Sequence, residues 1–415
     1  MSTEDPILKA HHPAGLNRRL ARLARASLLT LVGHDRYTMH DLLHAYAADL
    51  VRSDPAQEQL PATRRLVDHY LHSAHAAAGR LHSSQAVLDL PVPQAEVTIC
   101  EPSDEVRARA WLDAERATLL AAAGRAAEVE GLHGQCWQLA RTVTGFLFDA
   151  VRTQEALHLN LLALSAAERA GDRLGLAHVH HGLAQVLAWA QEYARGREHL
   201  NRALLLFTEL GDVRGQARCH GLLGFYHDRA EDHEAAVGSA QEALALHRAV
   251  DDPAGVAGVL NNLGWAWANL GDHERALSAC LEALEIQRGL GVSGALSATL
   301  DSVGFVHQQA GRPDRAITYL TEAVAVAQRL GQSLLQVEAL THLGEALCEL
   351  GDPSSAREQW TYALGILDDL DHPDAEDLRS RIHRLDSAPT SPARPLGGHG
   401  PGEMSTGSRA DSTPA

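Results

Sequence analysis

Residues 36–50 read RYTMHDLLHAYAADL, and the segment HDLLH sets two histidines four apart with an acid directly after the first. On a helix His40 and His44 share one face, the spacing by which zinc proteases hold a metal between two imidazoles. Asp41 stands where those enzymes carry a general-base Glu, and no third ligand is identifiable. A carboxylate in the first turn of a helix is favoured by the helix dipole in any case, so neither a metal nor a cofactor is expected. His69, His72 and His75 run three apart and HVHH occupies 178–181; in a chain with 25 histidines both groups are expected on solvated faces. NRRLARLAR sets Arg18, Arg19, Arg22 and Arg25 on one helix, which could contact DNA or form a solvated face. No Ser-His-Asp or Cys-His arrangement follows from spacing, and no catalytic residue is assigned.

The elements that position these residues belong to a chain of 415 residues, long enough for two or more domains. Its 36 basic and 53 acidic residues argue against nucleic-acid affinity along the whole chain. Residues 1–52 differ, with one Lys and six Arg against five acids. Any DNA contact would have to come from there. The five cysteines (Cys100, Cys136, Cys219, Cys280, Cys348) form no CxxC pair, which favours reduced thiols over disulfides or zinc. Without a signal segment or an 18-residue apolar run, the expectation is a soluble, cytoplasmic protein.

The chain carries an internal period of 40. From Gly264, steps of 40 reach Gly224, Gly304 and Gly344, and backwards Ala184 and Thr144. A second column is Ala156, Gly196, Ala236, Ala276, Ala316, Ala356; a third is Ala163, Ala203, Ala243, Ala283, Ala323, Ala363. Six units thus keep one register over 131–371. Small residues recurring among Leu, Val and Trp mark places where one helix approaches another closely. Asp272 and Asp352 suit N-caps, Pro313 and Pro353 a first helical turn, and Gly171, Gly211, Gly291 and Gly331 the ends of second helices. Stacked helix pairs of this kind form a solenoid with a concave face.

On these residues the array resembles the tetratricopeptide (TPR) family: Leu260, Leu263, Gly264, Trp267, Ala276 and Ala283 fall close to its signature spacing, in a longer repeat than usual. The resemblance implies an inner surface lined by first helices, with the residue after the signature glycine facing the groove. Here that column includes Phe225, Trp265 and Phe305, beside Asn261, Asp301, Asn269 and Gln308. These residues are candidates for holding an extended protein or peptide segment. The alternative is that the rings pack between repeats.

Residues 16–52 read as helix, two short strands and helix, the last with an apolar face of Met39, Leu42, Leu43, Tyr46, Ala47 and Leu50 expected to be core. With Met39-His40-Asp41 as an MHD triplet, this partial winged helix resembles the one that closes the nucleotide-binding module of NB-ARC proteins, STAND-class regulatory ATPases. Segments 64–78 and 110–123 resemble the joins to TPR arrays in bacterial transcription regulators of the AfsR and SARP kind. The resemblance implies that His40 faces the phosphates of ADP, supported by Asp41. Yet the only lysine is Lys9, with no glycine-rich loop before it, so nucleotide binding by this chain alone is not expected. The fold expected is all-α: an N-terminal extension (1–15), the partial winged helix (16–52), a helical adaptor (53–130) with an irregular link at 83–104, a TPR-like α-solenoid of six repeats (131–371), a capping helix (372–386) and a disordered tail (387–415). The expected function is non-catalytic: a protein- or peptide-binding regulatory protein, with a separate NB-ARC module as a further partner. DNA binding through the winged helix and a nucleotide-dependent switch are the alternatives.

Overall fold

The computed structural model describes residues 14–31, 37–53, 56–81, 88–95, 97–291 and 293–387. Nearly all of the N-terminal extension and of the tail lies outside them; the first helix begins within the extension, at Ala14. Six helix pairs follow one another: α5 (His133–Asp149) with α6 (Thr153–Ala170), α7 (Arg173–Trp189) with α8 (Tyr193–Leu210), α9 (Val213–Arg229) with α10 (His233–Ala249), α11 (Pro253–Asn269) with α12 (His273–Leu290), α13 (Gly294–Gln309) with α14 (Pro313–Leu330), and α15 (Ser333–Glu349) with α16 (Pro353–Asp369). Before them come α1 (Ala14–Arg25), β1 (Thr30–Leu31), β2 (Tyr37–Thr38), α2 (Asp41–Ser53), α3 (Ala56–Leu81) and α4 (Glu105–Glu128); α17 (Ala375–Ser387) follows and packs on α16.

The turns explain the strictness of the period. From 131 to 371 every twentieth residue has positive φ, and each lies in a turn between two helices. Gly131, Gly171, Gly211, Gly271, Gly291, Gly311, Gly331 and Gly351 fill eight of these places. Val151, Gln191, Glu231, Asp251 and Asp371 adopt the same left-handed backbone without that freedom. The 40-residue repeat is therefore two 20-residue halves. At six of the turns an aspartate caps the next helix: Asp172, Asp212, Asp232, Asp252, Asp272 and Asp352 each accept from the backbone N–H three residues on.

Close packing falls on the small-residue columns. All six alanines from Ala163 to Ala363 are fully buried. A Cβ on Gly264 would lie 2.1 Å from Cys280 Sγ and 3.1 Å from the Ala276 carbonyl, so α11 and α12 meet nearly backbone to backbone. Elsewhere the notch admits a ring. Tyr226 fills the space over Gly196 and donates to the Ala184 carbonyl (2.7 Å), and Trp360 fills that over Gly344 and donates to the Thr341 carbonyl (3.0 Å).

Residues 56–128 continue the stack: α3 packs on α4 and α5, and α4 on α5 and α6, the neighbour scheme of the repeats. The segment between α3 and α4 has no helix or strand where described and is strapped along α3. Buried Asp68 accepts from the Gln94 N–H (2.9 Å), and buried Ser73 accepts from the Cys100 N–H (2.9 Å).

One expectation about the N-terminal segment fails. The apolar stripe of α2 is not core: Leu42, Tyr46 and Leu50 are 76%, 62% and 50% exposed. Among the described residues neither α1 nor α2 packs extensively on another helix, and β1 and β2 pair over only two residues each. The stripe has the right period, but among the described residues no helix covers it.

Gly264→Val should lower stability by about 1–3 kcal/mol, because the branched side chain must enter a full contact. Gly258→Ala, whose Cβ meets nothing within 4 Å, should raise it by about 0.5–1 kcal/mol through helix propensity. Denaturant midpoints of the two variants check both; equal effects would contradict the packing described.

Candidate functional site

Successive first helices approach one another closely all along the array (α5 with α7, α7 with α9, α9 with α11, α11 with α13, α13 with α15), while successive second helices do so only at α4 and α6. The first helices therefore form the inner, more tightly curved wall. Residues 40 apart on them lie side by side across neighbouring repeats.

Trp265 on α11 and Phe305 on α13 stack at 3.8 Å between ring centroids, 16° from parallel, and both stay half-buried. The groove and inter-repeat alternatives thus combine: the rings pack on each other across two repeats and still present surface to the inner face. His342 on α15 completes the group, 5.9 Å from Trp265 and 5.7 Å from Phe305. Phe225 lies under the Arg229 guanidinium (5.2 Å) and edge-on to Tyr226.

The polar candidates divide. Asp301 is buried and committed to His342, whose Nδ1 lies 2.9 and 3.0 Å from its two carboxylate oxygens. Gln308 donates to Glu349 (2.8 Å) and Asn269 to Asp228 (3.4 Å). Asn261 Oδ1 and Gln308 Oε1 are buried without a hydrogen-bond partner. Sequence reasoning missed Glu338 and His342 on α15, and did not single out Glu345 although it stands in the groove-facing column of Phe305. The signal was available: Glu345 follows Phe305 by one period, and His342 lies one position from the column of Asp301.

Electrostatics at this end favour protonation. Burial opposes the charge on His342, but Asp301, by charge and hydrogen bond, with Glu345 and Glu338, lifts it to about 9. Enclosure by the inner wall, then the Asp301 carboxylate, pushes Glu338 up to about 7, although its side chain keeps solvent access. Arg381 of α17 pairs with Glu345 and with Asp377 (2.8 Å), tying the last helix to the wall.

The histidines of HVHH are not on a solvated face. His178 lies between Trp137 (5.1 Å, stacked) and Phe207 (5.2 Å, edge-on), and burial is the largest influence lowering the pKa of both His178 and His181. The segment does lie on a repeat helix, α7, but the stacking of neighbouring repeats encloses the face. In the N-terminal segment His40 is exposed, and its Nδ1 accepts from the Leu42 N–H (3.3 Å) at the start of α2; Asp41 is exposed in the first turn and Met39 is half-buried. Arg22 and Arg25 are exposed on α1, whereas the side chains of Arg18, Arg19 and His44 lie outside the described set. Among the described residues no group of three or more His, Cys, Asp or Glu is placed to hold a metal ion.

Comparison with known proteins agrees with this geometry. Residues 175–249 and 295–367 match one tetratricopeptide repeat model, and residues 256–292 match a second. The array is built of tetratricopeptide repeats. The chain is similar to regulatory protein AfsR of Streptomyces griseus, 26% identical over 227 residues, covering 53% of this chain and 23% of that protein. It thus spans about a quarter of that relative's length. Among solved structures, a Rap protein complexed with competence and sporulation factor superposes with a TM-score of 0.51 at 14% identity, over 79% of this chain and 98% of that one. A STAND protein with a tetratricopeptide repeat sensor from Pyrococcus horikoshii gives 0.46 at 14% identity, over 91% and 59%. At these identities the likeness to solved structures is one of fold. No described helix is long and apolar enough to cross a membrane.

The raised groups set a pH dependence. Glu338 and His342 bind protons more tightly folded than unfolded, where their values are 4.5 and 6.5. Their stabilisation is complete below those values and is lost as pH rises through about 7 and about 9. Stability should therefore fall in two steps, from pH 4.5 to about 7 with Glu338 and from pH 6.5 to about 9 with His342, and Asp301→Asn should flatten the second by returning His342 toward its unfolded value. Denaturation midpoints across this range check it; an unchanged slope in the variant would assign the fall to other groups.

Proposed function

We propose that this tetratricopeptide-repeat protein is a non-catalytic regulatory protein whose inner face binds an extended peptide or a peptide segment of a protein partner. The observation that carries this reading is the half-buried Trp265–Phe305 stack on the inner wall. Two rings already fixed by each other offer a flat apolar surface at little further entropic cost. Beside them the half-buried Asn261 amide can hydrogen-bond a peptide backbone group, while buried Gln308 backs the wall. Asp301 supports the site by holding His342 against both rings. Phe225 extends the apolar surface toward α9, and Asn269 marks the end of α11. The Rap protein complexed with competence and sporulation factor shares the fold, and AfsR is by its name a regulatory protein. Both are consistent with this role.

A second reading concerns α2. Its exposed face of Leu42, Tyr46 and Leu50 is apolar enough to dock on another module, and we infer that this module is of the nucleotide-binding NB-ARC kind, with Met39, His40 and Asp41 at the contact. Titration of ADP into this chain alone should then give no binding heat, and micromolar binding would contradict it. Direct DNA contact through Arg18, Arg19, Arg22 and Arg25 is the less favoured use of the same segment.

For the groove, Trp265→Ala should abolish retention of peptides selected from a random pool on the wild-type chain, while the helical melt shifts little. A loss of several kcal/mol in stability, as for a core truncation, would show the ring to be structural.

A further inference from the structure

The last helix delivers the chain that follows it to the inner wall. Arg381 of α17 pairs with Glu345, which stands in the groove-facing column of Trp265 and Phe305. Arg357 of α16 pairs with Asp386 (3.1 Å), and Ile382 and Leu385 pack into the apolar cluster around Trp360. So α17 is held from Arg381 to its last turn, and the point at which the chain leaves it is fixed. Residues 388–415 lie outside the described structure. In the sequence they open APTSPARPL, with Pro389, Pro392 and Pro395 three apart. A step of three is the repeat of the polyproline II helix, which puts all three rings on one edge, and each proline fixes φ near the value that helix needs.

This segment can reach the rings. Ser387 lies six residues beyond Arg381, roughly 9 Å along the helix, and Phe305 lies one wall helix from Glu345, about 10 Å away. Residues 388–395 extended as polyproline II span about 25 Å, more than that path. The charge fits as well. At its α5–α9 end the inner wall carries Arg141, His178, His181 and Arg218; at the α13–α15 end it carries Asp301, Glu338 and Glu345. Asp301 is held by His342 and Glu345 by Arg381. Glu338 keeps solvent access and makes no hydrogen bond among the described residues. Enclosure by the wall, then the Asp301 charge, pushes its carboxyl up to about 7, and a guanidinium beside it offsets both. Arg229, whose charge also reaches Glu338, stays over the Phe225 ring. Arg394 is the one charged residue of 388–396 and sits between the second and third prolines.

We propose that residues 389–395 of this same chain lie across the Trp265–Phe305 stack as a polyproline II segment, prolines on the rings and Arg394 at Glu338. Flat aromatic faces take such a segment well, because it is already extended and gives up little freedom on docking. An outside peptide must then displace the chain's own segment. The tether sets how strongly the two compete: a short link holds the segment near the site at about 1 mM, so a segment that binds at about 0.1 mM by itself lowers outside affinity about tenfold. The inference rests on the peptide reading of the groove and names the chemistry it selects, prolines spaced by three with one cation.

The test uses the full chain, a tail variant of it carrying Pro389→Gly, Pro392→Gly, Arg394→Glu and Pro395→Gly, and a synthetic peptide of sequence APTSPARPL. Calorimetric titration should show the peptide binding the tail variant about tenfold tighter than the wild-type chain. Adding Glu338→Gln or Trp265→Ala to the tail variant should remove most of that binding; should Trp265→Ala unfold the chain, Glu338→Gln alone decides. Equal binding to wild type and tail variant shows the groove unoccupied by its own chain and overturns the proposal. So does binding that survives both added substitutions, because it lies elsewhere. A tail variant that ignores the peptide but still retains random hexapeptides through Trp265 overturns the segment and leaves the groove standing; retention of neither overturns both. A wild-type chain that sediments as a dimer beside a monomeric tail variant assigns the segment to a second copy and overturns the intramolecular contact.

Discussion

The whole structure depends on how closely neighbouring helices can approach. No helix pair here can bury its apolar face alone; each needs the next pair, and the pairs meet at columns of Gly and Ala. At Gly264 the contact leaves no room for a Cβ, and at Ala283 and its five equivalents nothing of the side chain reaches solvent. Spacing between these contacts is fixed by turns that place a left-handed residue every twenty positions. A single insertion within a unit would move a small residue out of its column and a large one into it. The register therefore runs unbroken from 131 to 371.

That constraint also makes the inner face. Because the small columns carry the packing, other positions on the first helices are released from it and brought into line 40 residues apart. Trp265 meets Phe305 in this way, and Asp301 meets His342. The same alignment collects Arg141, His178, His181 and Arg218 at the other end, where enclosure lowers the proton affinity of the histidines. A chain with a formal charge of −17 thus keeps a basic group inside one end of its array. The wall differs in charge between its ends and carries aromatic surface beside the acidic one, which suits a ligand with direction.

The repeats were legible because Gly264 and Ala283 recur at a fixed step, and periodicity needs no tertiary knowledge. The turns were legible in part: the glycines announced themselves, but Val151, Gln191 and Glu231 hold the same backbone with nothing in their type to show it. The stacking of α3 and α4 was hidden because the segment between them interrupts the register, and its attachment rests on Asp68 and Ser73, which look like ordinary surface residues in sequence. The basic group was hidden for another reason. Arg141 and His181 share a column at the 40-residue step, but Arg218 stands 77 positions from Arg141 in sequence, and only the superhelix makes them neighbours. The α2 stripe misled because a 3.6-residue period reports an amphipathic helix and says nothing of whether its partner surface is present.

The account's central claim is that the inner wall, from α5 to α15, is the binding surface. Hydrogen–deuterium exchange of the chain with and without a peptide selected on it tests that claim most directly. Protection concentrated on α7, α9, α11 and α13, with α8, α10, α12 and α14 unchanged, is the result expected. Protection confined to the outer helices, or to α1 and α2, would contradict it.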